Sequence, residues 1–235
     1  GADNYGDSWR FIRQCFIVKE NIDKVGDMDD ATKETIKAEA TALIAYRYMG
    51  MFYRYGGVPI VTKSFEASDD LTAGRATLKE MLEYICGLCD EAYERLPEKW
   101  DAANTGRMTK GAVLAIKART LQYAARPLFN SATPYLDNGE NNALICFGDY
   151  DKERWNDAIK ANEEVLKWAA ENGVTLINTG GAGVGKPNPN AFEDYATASS
   201  RPSSREVILA YKRDEFCSWK NSIMSSLWMM ARSLA

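Results

Sequence analysis

A chain of 235 residues, 46% of them hydrophobic, can bury one substantial core or form one large piece of a bigger domain. Its net charge of −4 and pI near 5.2 give no basic field for nucleic acid, and no apolar run is long enough to span a membrane. With no His, Ser-His-Asp and Cys-His catalysis cannot be assembled within this chain.

Taken in chain order, the pattern is helix after helix. A first helix is expected over residues 7–25 and a second, much longer one over residues 31–55. In the second, Ala38, Ala42, Ala45, Tyr46, Met49, Phe52 and Tyr53 recur at three- and four-residue spacing and line one face. Gly56 and Gly57 suit a helix end, and Pro59 prevents continuation. The third helix opens at Thr77, where Thr77-Leu78-Lys79-Glu80 reads as a capping box, and closes at Pro97. Its apolar face carries Leu78, Met81, Leu82, Ile85, Cys89, Ala92 and Leu96. A fourth is expected over residues 109–125, stopped before Pro127. A fifth carries Trp155, Ala158, Ile159, Asn162, Val165, Leu166 and Ala169 on one face and ends at Asn172-Gly173. Alanine on these faces lets helix axes approach closely, as in tetratricopeptide-like pairs. No strict 34-residue repeat is legible, so periodicity alone specifies a helical array. Long loops are expected over 64–74, 130–150 and 180–204, with minor β at the strand-like segments 174–178 and 206–211.

Several motifs invite sharper readings. Gly180-Gly181-Ala182-Gly183-Val184-Gly185-Lys186 after a strand-like segment is most of a phosphate-binding loop. That motif needs a Ser or Thr next and then a helix, whereas Pro187-Asn188-Pro189-Asn190 follows, so a flexible surface loop is expected. Asp137-Asn138-Gly139-Glu140-Asn141-Asn142 is oxygen-rich but lacks calcium-loop spacing and reads as a polar turn. Of the five Cys, Cys86 and Cys89 fall within a helix. Zinc needs four ligands and the chain has no His, so small core residues are expected, with no metal site, no cofactor and no structural disulfide. The 33 acidic residues supply carboxylate pairs in any fold, and most sit on solvated helix faces.

The order of residues says more than their periodicity. Residues 37–60, from Lys37-Ala38-Glu39-Ala40 through Tyr48 and Met51 to Tyr55-Gly56-Gly57-Val58-Pro59, resemble the signature helix of the SusD/RagB family. That pattern is R-A-E-A-x-x-L-R-A-x-x-Y-x-x-L-x-x-x-Y-G-x-V-P, with Lys37 and Ile44 standing at its two Arg positions. Trp9-Arg10-Phe11-Ile12-Arg13-Gln14-Cys15-Phe16 is similar to the preceding family helix, W-x-x-I-R-x-A-N, with Cys15 and Phe16 in place of Ala and Asn. Arg75-Ala76-Thr77 with the helix running to Leu96-Pro97, Gly106-Arg107-Met108-Thr109-Lys110-Gly111-Ala112, and Trp155-Asn156-Asp157-Ala158 resemble further family motifs in the family's order. The chain is therefore identified as a member, a single SusD-like domain over 1–235 expected to be truncated at both ends.

The resemblance implies a mainly α fold: a tetratricopeptide-like helical superhelix supporting long irregular loops. It implies a non-catalytic surface lipoprotein of the Bacteroidetes outer membrane. Such a protein captures an oligosaccharide or polysaccharide and delivers it to a TonB-dependent, SusC-like transporter. Its lipid anchor would lie outside this chain. The other readings are a helical-repeat scaffold for protein docking and a component that binds peptides or other nutrients. Among 6 Trp, 12 Tyr and 8 Phe, helix-face rings such as Tyr46, Phe52, Tyr53, Tyr84 and Trp155 read as core. Aromatic faces stack on the C–H faces of sugars, so loop or terminal rings are the candidate ligand contacts: Tyr5 ahead of the first helix, and Trp219 and Trp228 in the final segment.

Overall fold

A computed structural model describes residues 5–66, 68–69, 72–183, 185–200 and 204–209. Six α-helices follow one another: α1 (Tyr5–Asn21), α2 (Asp30–Tyr55), α3 (Leu78–Tyr93), α4 (Lys110–Ala125), α5 (Glu153–Glu171) and α6 (Ala191–Ser200). Through α5, each helix packs on the next, and α2 also touches α4. The expected array of helical pairs is therefore present. Both ends of α1 and α2 fall within a few residues of expectation, as do α4 and α5.

The central member is α2, which meets α1, α3 and α4 and so is buried on more than one face. Ala38, Ala42, Ala45, Met49 and Phe52 are buried as expected, and Ile44, Tyr48 and Met51 join them. Tyr46 and Tyr53 remain half-buried, packed at the margin of the core. Asp29 caps α2 by accepting from the Thr32 N–H at 2.9 Å. At α3 the capping box forms in both directions: Thr77 accepts from the Glu80 N–H, and Glu80 accepts from the Thr77 N–H at 2.7 Å.

The spaced family motifs turn out to be contact partners. Glu39 of α2 pairs with Arg107, which donates to it through Nε at 3.0 Å and again through Nη2, while the guanidinium lies 3.9 Å from the centre of the Trp100 ring. Gly111 lets α4 close on α5, because a Cβ there would collide with the Trp168 ring. Trp168 in turn donates through Nε1 to Glu98 at 2.6 Å, tying α5 to the segment between α3 and α4.

Four expectations are corrected. The α5 face against α4 is Ala158, Ala161, Val165 and Trp168, while Ile159 and Leu166 are 53% and 51% exposed. No strand occurs among the described residues. Segment 174–178 makes one backbone bond to its neighbour, Thr175 N–H to the Arg205 carbonyl at 3.0 Å, and Ile177 donates to the Glu206 side chain instead. That is too little for a ladder, and of the segment expected over 206–211 the described residues, 206–209, form no strand, while 210–211 lie outside the described residues. The loop expected over 180–204 contains α6. Finally, Tyr5 is not ahead of the first helix but within its first turn.

Candidate functional site

The C-terminal end of α2 is the place where separate parts of the chain converge. Gly56 has φ of +71°, the geometry that lets the backbone turn away from the helix. Gly57 has the Ala76 carbonyl where a Cβ would sit, and its N–H donates to the Leu144 carbonyl at 2.7 Å. Arg75 closes the helix end, donating through Nε to the Gly57 carbonyl at 2.7 Å and through Nη2 to the Tyr55 carbonyl at 2.6 Å. These are carbonyls that no helical N–H can reach, and a cation is favoured beside them. Thus the Gly-Gly of one motif and the Arg of the next form a single device.

Tyr5 belongs to this end of the bundle. Its ring meets Tyr55 edge-on at 5.1 Å and Trp9 edge-on at 5.5 Å. The contacts continue through Trp9 to Tyr48 at 6.0 Å and from Tyr48 to Tyr84 at 5.1 Å. Tyr48 and Tyr84 also hold the extended segment after α2. The Tyr48 hydroxyl accepts from the Val61 N–H at 2.9 Å, and the Tyr84 hydroxyl donates to the Val61 carbonyl at 2.9 Å. Burial pushes the Tyr84 phenol up to about 12 and raises that of Tyr48 further, so both act as neutral hydrogen-bonding groups.

The loop between α4 and α5 reaches the same place through Leu144. It is held rather than loose. The buried Asn130 donates to the Asp151 carbonyl at 2.8 Å and accepts from the Asp151 N–H at 2.8 Å and from Arg154 at 2.6 Å. Arg154 also bonds Asp149 at 2.7 Å and covers the Phe147 ring at 4.1 Å. Asp137 accepts from the Gly139 N–H at 2.9 Å and the Asn142 amide at 3.0 Å, which forms the expected polar turn. On this framework Tyr135 stands 93% exposed and Tyr150 65% exposed, with Leu128 and Leu136 also open to solvent. Flat exposed rings on a braced loop can stack on sugar faces. Sequence reasoning marked the loop but passed over its two tyrosines, whose exposure has no local signal.

Trp219 and Trp228 lie outside the described residues. The glycine loop is knit by its own side chains. Asn178 accepts from the Ala182 N–H at 3.1 Å and donates to its carbonyl at 2.7 Å. The buried Asp194 of α6 accepts from the Thr179 hydroxyl at 2.7 Å and the Asn188 amide at 2.7 Å. Those bonds hold its carboxyl below the usual aspartate range. Cys15, Cys86, Cys89 and Cys146 are free thiols. Burial pushes Cys15 and Cys86 up to about 11 and Cys89 well above its ordinary value, which leaves them poor nucleophiles. Among the described residues no cluster of acidic or thiol groups could hold a metal, and no helix is long and apolar enough to cross a membrane.

A SusD-like family profile, described as starch-binding and associating with the outer membrane, matches residues 2–121, just over half of the chain. The chain belongs to the SusD-like family. This SusD-like chain is 32% identical to a solved structure named BT4246, over 75% of its own length and 31% of the other, with a TM-score of 0.67. A SusD-like protein from Bacteroides fragilis is 24% identical over 74% and 28% of the two chains, with a TM-score of 0.53. A SusD-like carbohydrate binding protein from Bacteroides vulgatus is 20% identical over 73% and 31%, with a TM-score of 0.52. These last two share the fold alone. The SusD-like chain spans less than a third of the length of these solved relatives. No curated protein matches it.

Proposed function

We propose that this SusD-like chain is part of a non-catalytic protein that captures an oligosaccharide or polysaccharide at the cell surface and passes it to a TonB-dependent, SusC-like transporter. It is held at the outer membrane by a lipid anchor, which keeps the bound glycan near the transporter. The observation that carries this reading is the match of residues 2–121 to a family described as starch-binding and associating with the outer membrane. The helical array is the scaffold, and the ligand is met by aromatic rings at its edge and in the loops beyond it. Tyr135 and Tyr150 are the exposed rings of the braced loop, Tyr5 lies at the adjoining helix end, and Trp219 and Trp228 complete the proposed contacts.

Calorimetric titration of the chain with starch-derived and other neutral glycans tests the proposal, with Tyr5→Ala, Tyr135→Ala, Tyr150→Ala, Trp219→Ala and Trp228→Ala beside it. Saturable binding to one glycan class, weakened by about 1–3 kcal/mol in at least one variant whose melting is unchanged, is the expected result. Binding of peptides with no sugar bound would favour the docking or peptide-nutrient reading.

A further inference from the structure

Tyr150 stands at the end of the loop between α4 and α5, and side chains hold the peptide units on both sides of it. On its N-terminal side, the Asp149 carbonyl accepts from Arg154 Nη1 at 3.3 Å, and Arg154 Nη2 bonds the Asp149 carboxylate at 2.7 Å. On its C-terminal side, the Asp151 N–H donates to Asn130 Oδ1 at 2.8 Å, and Asn130 Nδ2 donates to the Asp151 carbonyl at 2.8 Å. The two holding side chains are themselves joined, Arg154 Nη1 donating to Asn130 Oδ1 at 2.6 Å. Each is anchored to a different helix. Asn130 is 2% exposed and donates to the carbonyl of Ala125, the last residue of α4, at 3.3 Å. Arg154 belongs to the first turn of α5, its guanidinium 4.1 Å over the Phe147 ring. The other exposed ring of the loop lacks such a clamp: among the described residues, neither peptide unit beside Tyr135 makes a hydrogen bond.

We infer that Asn130 and Arg154 are positioning residues for glycan capture, acting through Tyr150. Peptide units are planar, so bonding one on each side of a residue restricts its φ and ψ and sets the direction of its Cα–Cβ bond. The Tyr150 ring itself stays 65% exposed, open to a sugar face. A glycan that stacks on it meets a backbone already ordered at folding, and binding is stronger by the ordering it does not have to impose. Asn130 is too deeply buried to touch the glycan, so its effect on binding has to pass through the residue it holds. The inference rests on the glycan-capture reading and adds the residues that orient one of its rings.

Two measurements on the whole chain test it. In Arg154→Gln, hydrogen exchange at the Asp151 amide should quicken by at least about tenfold, the scale of a bond from a charged group, and stay unchanged within α4 and α5. Calorimetric titration then uses whichever glycan the unaltered chain binds, starch-derived oligosaccharide first, in a double-mutant cycle with Tyr150→Ala. Arg154→Gln and Asn130→Asp, which turns the amide donor into an acceptor, should each weaken binding about five- to thirtyfold, the equivalent of ordering one residue's backbone. In the Tyr150→Ala background the same changes should matter by less than about twofold, whereas in Tyr135→Ala they should keep their full effect. A loss as large without Tyr150 makes the two residues ligand contacts or supports of the whole fold, which overturns the assignment and leaves glycan capture standing. Undiminished binding by Arg154→Gln, or unchanged exchange at Asp151, overturns it too. No binding of any glycan by the unaltered chain removes capture and assignment together.

Discussion

Two residues show how much of this fold depends on single atoms. Gly111 is helical, and Ala would ordinarily strengthen a helix there, yet the Trp168 ring occupies the space of a Cβ. Gly111→Ala is therefore expected to cost about 1–3 kcal/mol in urea unfolding, as overpacking does, with the opposite sign to its intrinsic helix propensity. Asp194 acts through its charge. The Thr179 hydroxyl, followed by the Asn188 amide, holds its carboxyl below the ordinary aspartate value of 3.8. A depressed carboxyl contributes stability above its unfolded value and loses it as pH falls through the lowered folded value. The tie between α6 and the glycine loop should accordingly loosen only in acid, below that ordinary value. Hydrogen exchange across residues 191–200 should show the step, and Asp194→Asn should remove it.

Among the elements, the helix ends carry legible chemistry. Thr77 and Glu80 cap α3 reciprocally, as their spacing announces, and Thr77→Ala should cost about 1 kcal/mol with an unchanged denaturant slope. The double glycine and proline after Tyr55 announce the end of α2 equally well. What they do not announce is the partner. Arg75 comes from a different motif, and only the folded chain shows it on the Tyr55 and Gly57 carbonyls. Arg75→Met should free those carbonyls and cost about 1.5–3 kcal/mol, the range for hydrogen bonds from a charged group. The same limit explains α5. Ile159 and Leu166 are strong hydrophobes, so periodicity puts them inward beside Ala158 and leaves Ala161 and Trp168 off that face. The small residues win because α4 comes close at Gly111, a fact of the neighbouring surface that the α5 sequence does not contain. Segment 174–178 looks like a strand because β-branched residues dominate it, but a strand needs a partner with matching register, and residues 205–206 offer only one backbone bond.

For the whole molecule, the helical scaffold and the family were readable because they are written in repeated spacings and ordered motifs. The exposed loop rings were not, because an exposed Tyr on a loop and a buried Tyr on a helix look alike in sequence. Tyr135 and Tyr150 emerge only when the loop is seen braced by Asn130 and Arg154. Because Tyr135 is 93% exposed, Tyr135→Ala should leave the Tm within about a degree or two while lowering glycan affinity, which separates binding from folding. The measurement that reaches the central claim most directly is calorimetric titration of the unaltered chain with starch-derived oligosaccharides, run beside Tyr135→Ala and Tyr150→Ala at equal concentration. Saturable binding that falls in at least one folded variant is expected. Heats indistinguishable from dilution across all neutral and acidic glycans would contradict glycan capture by this chain.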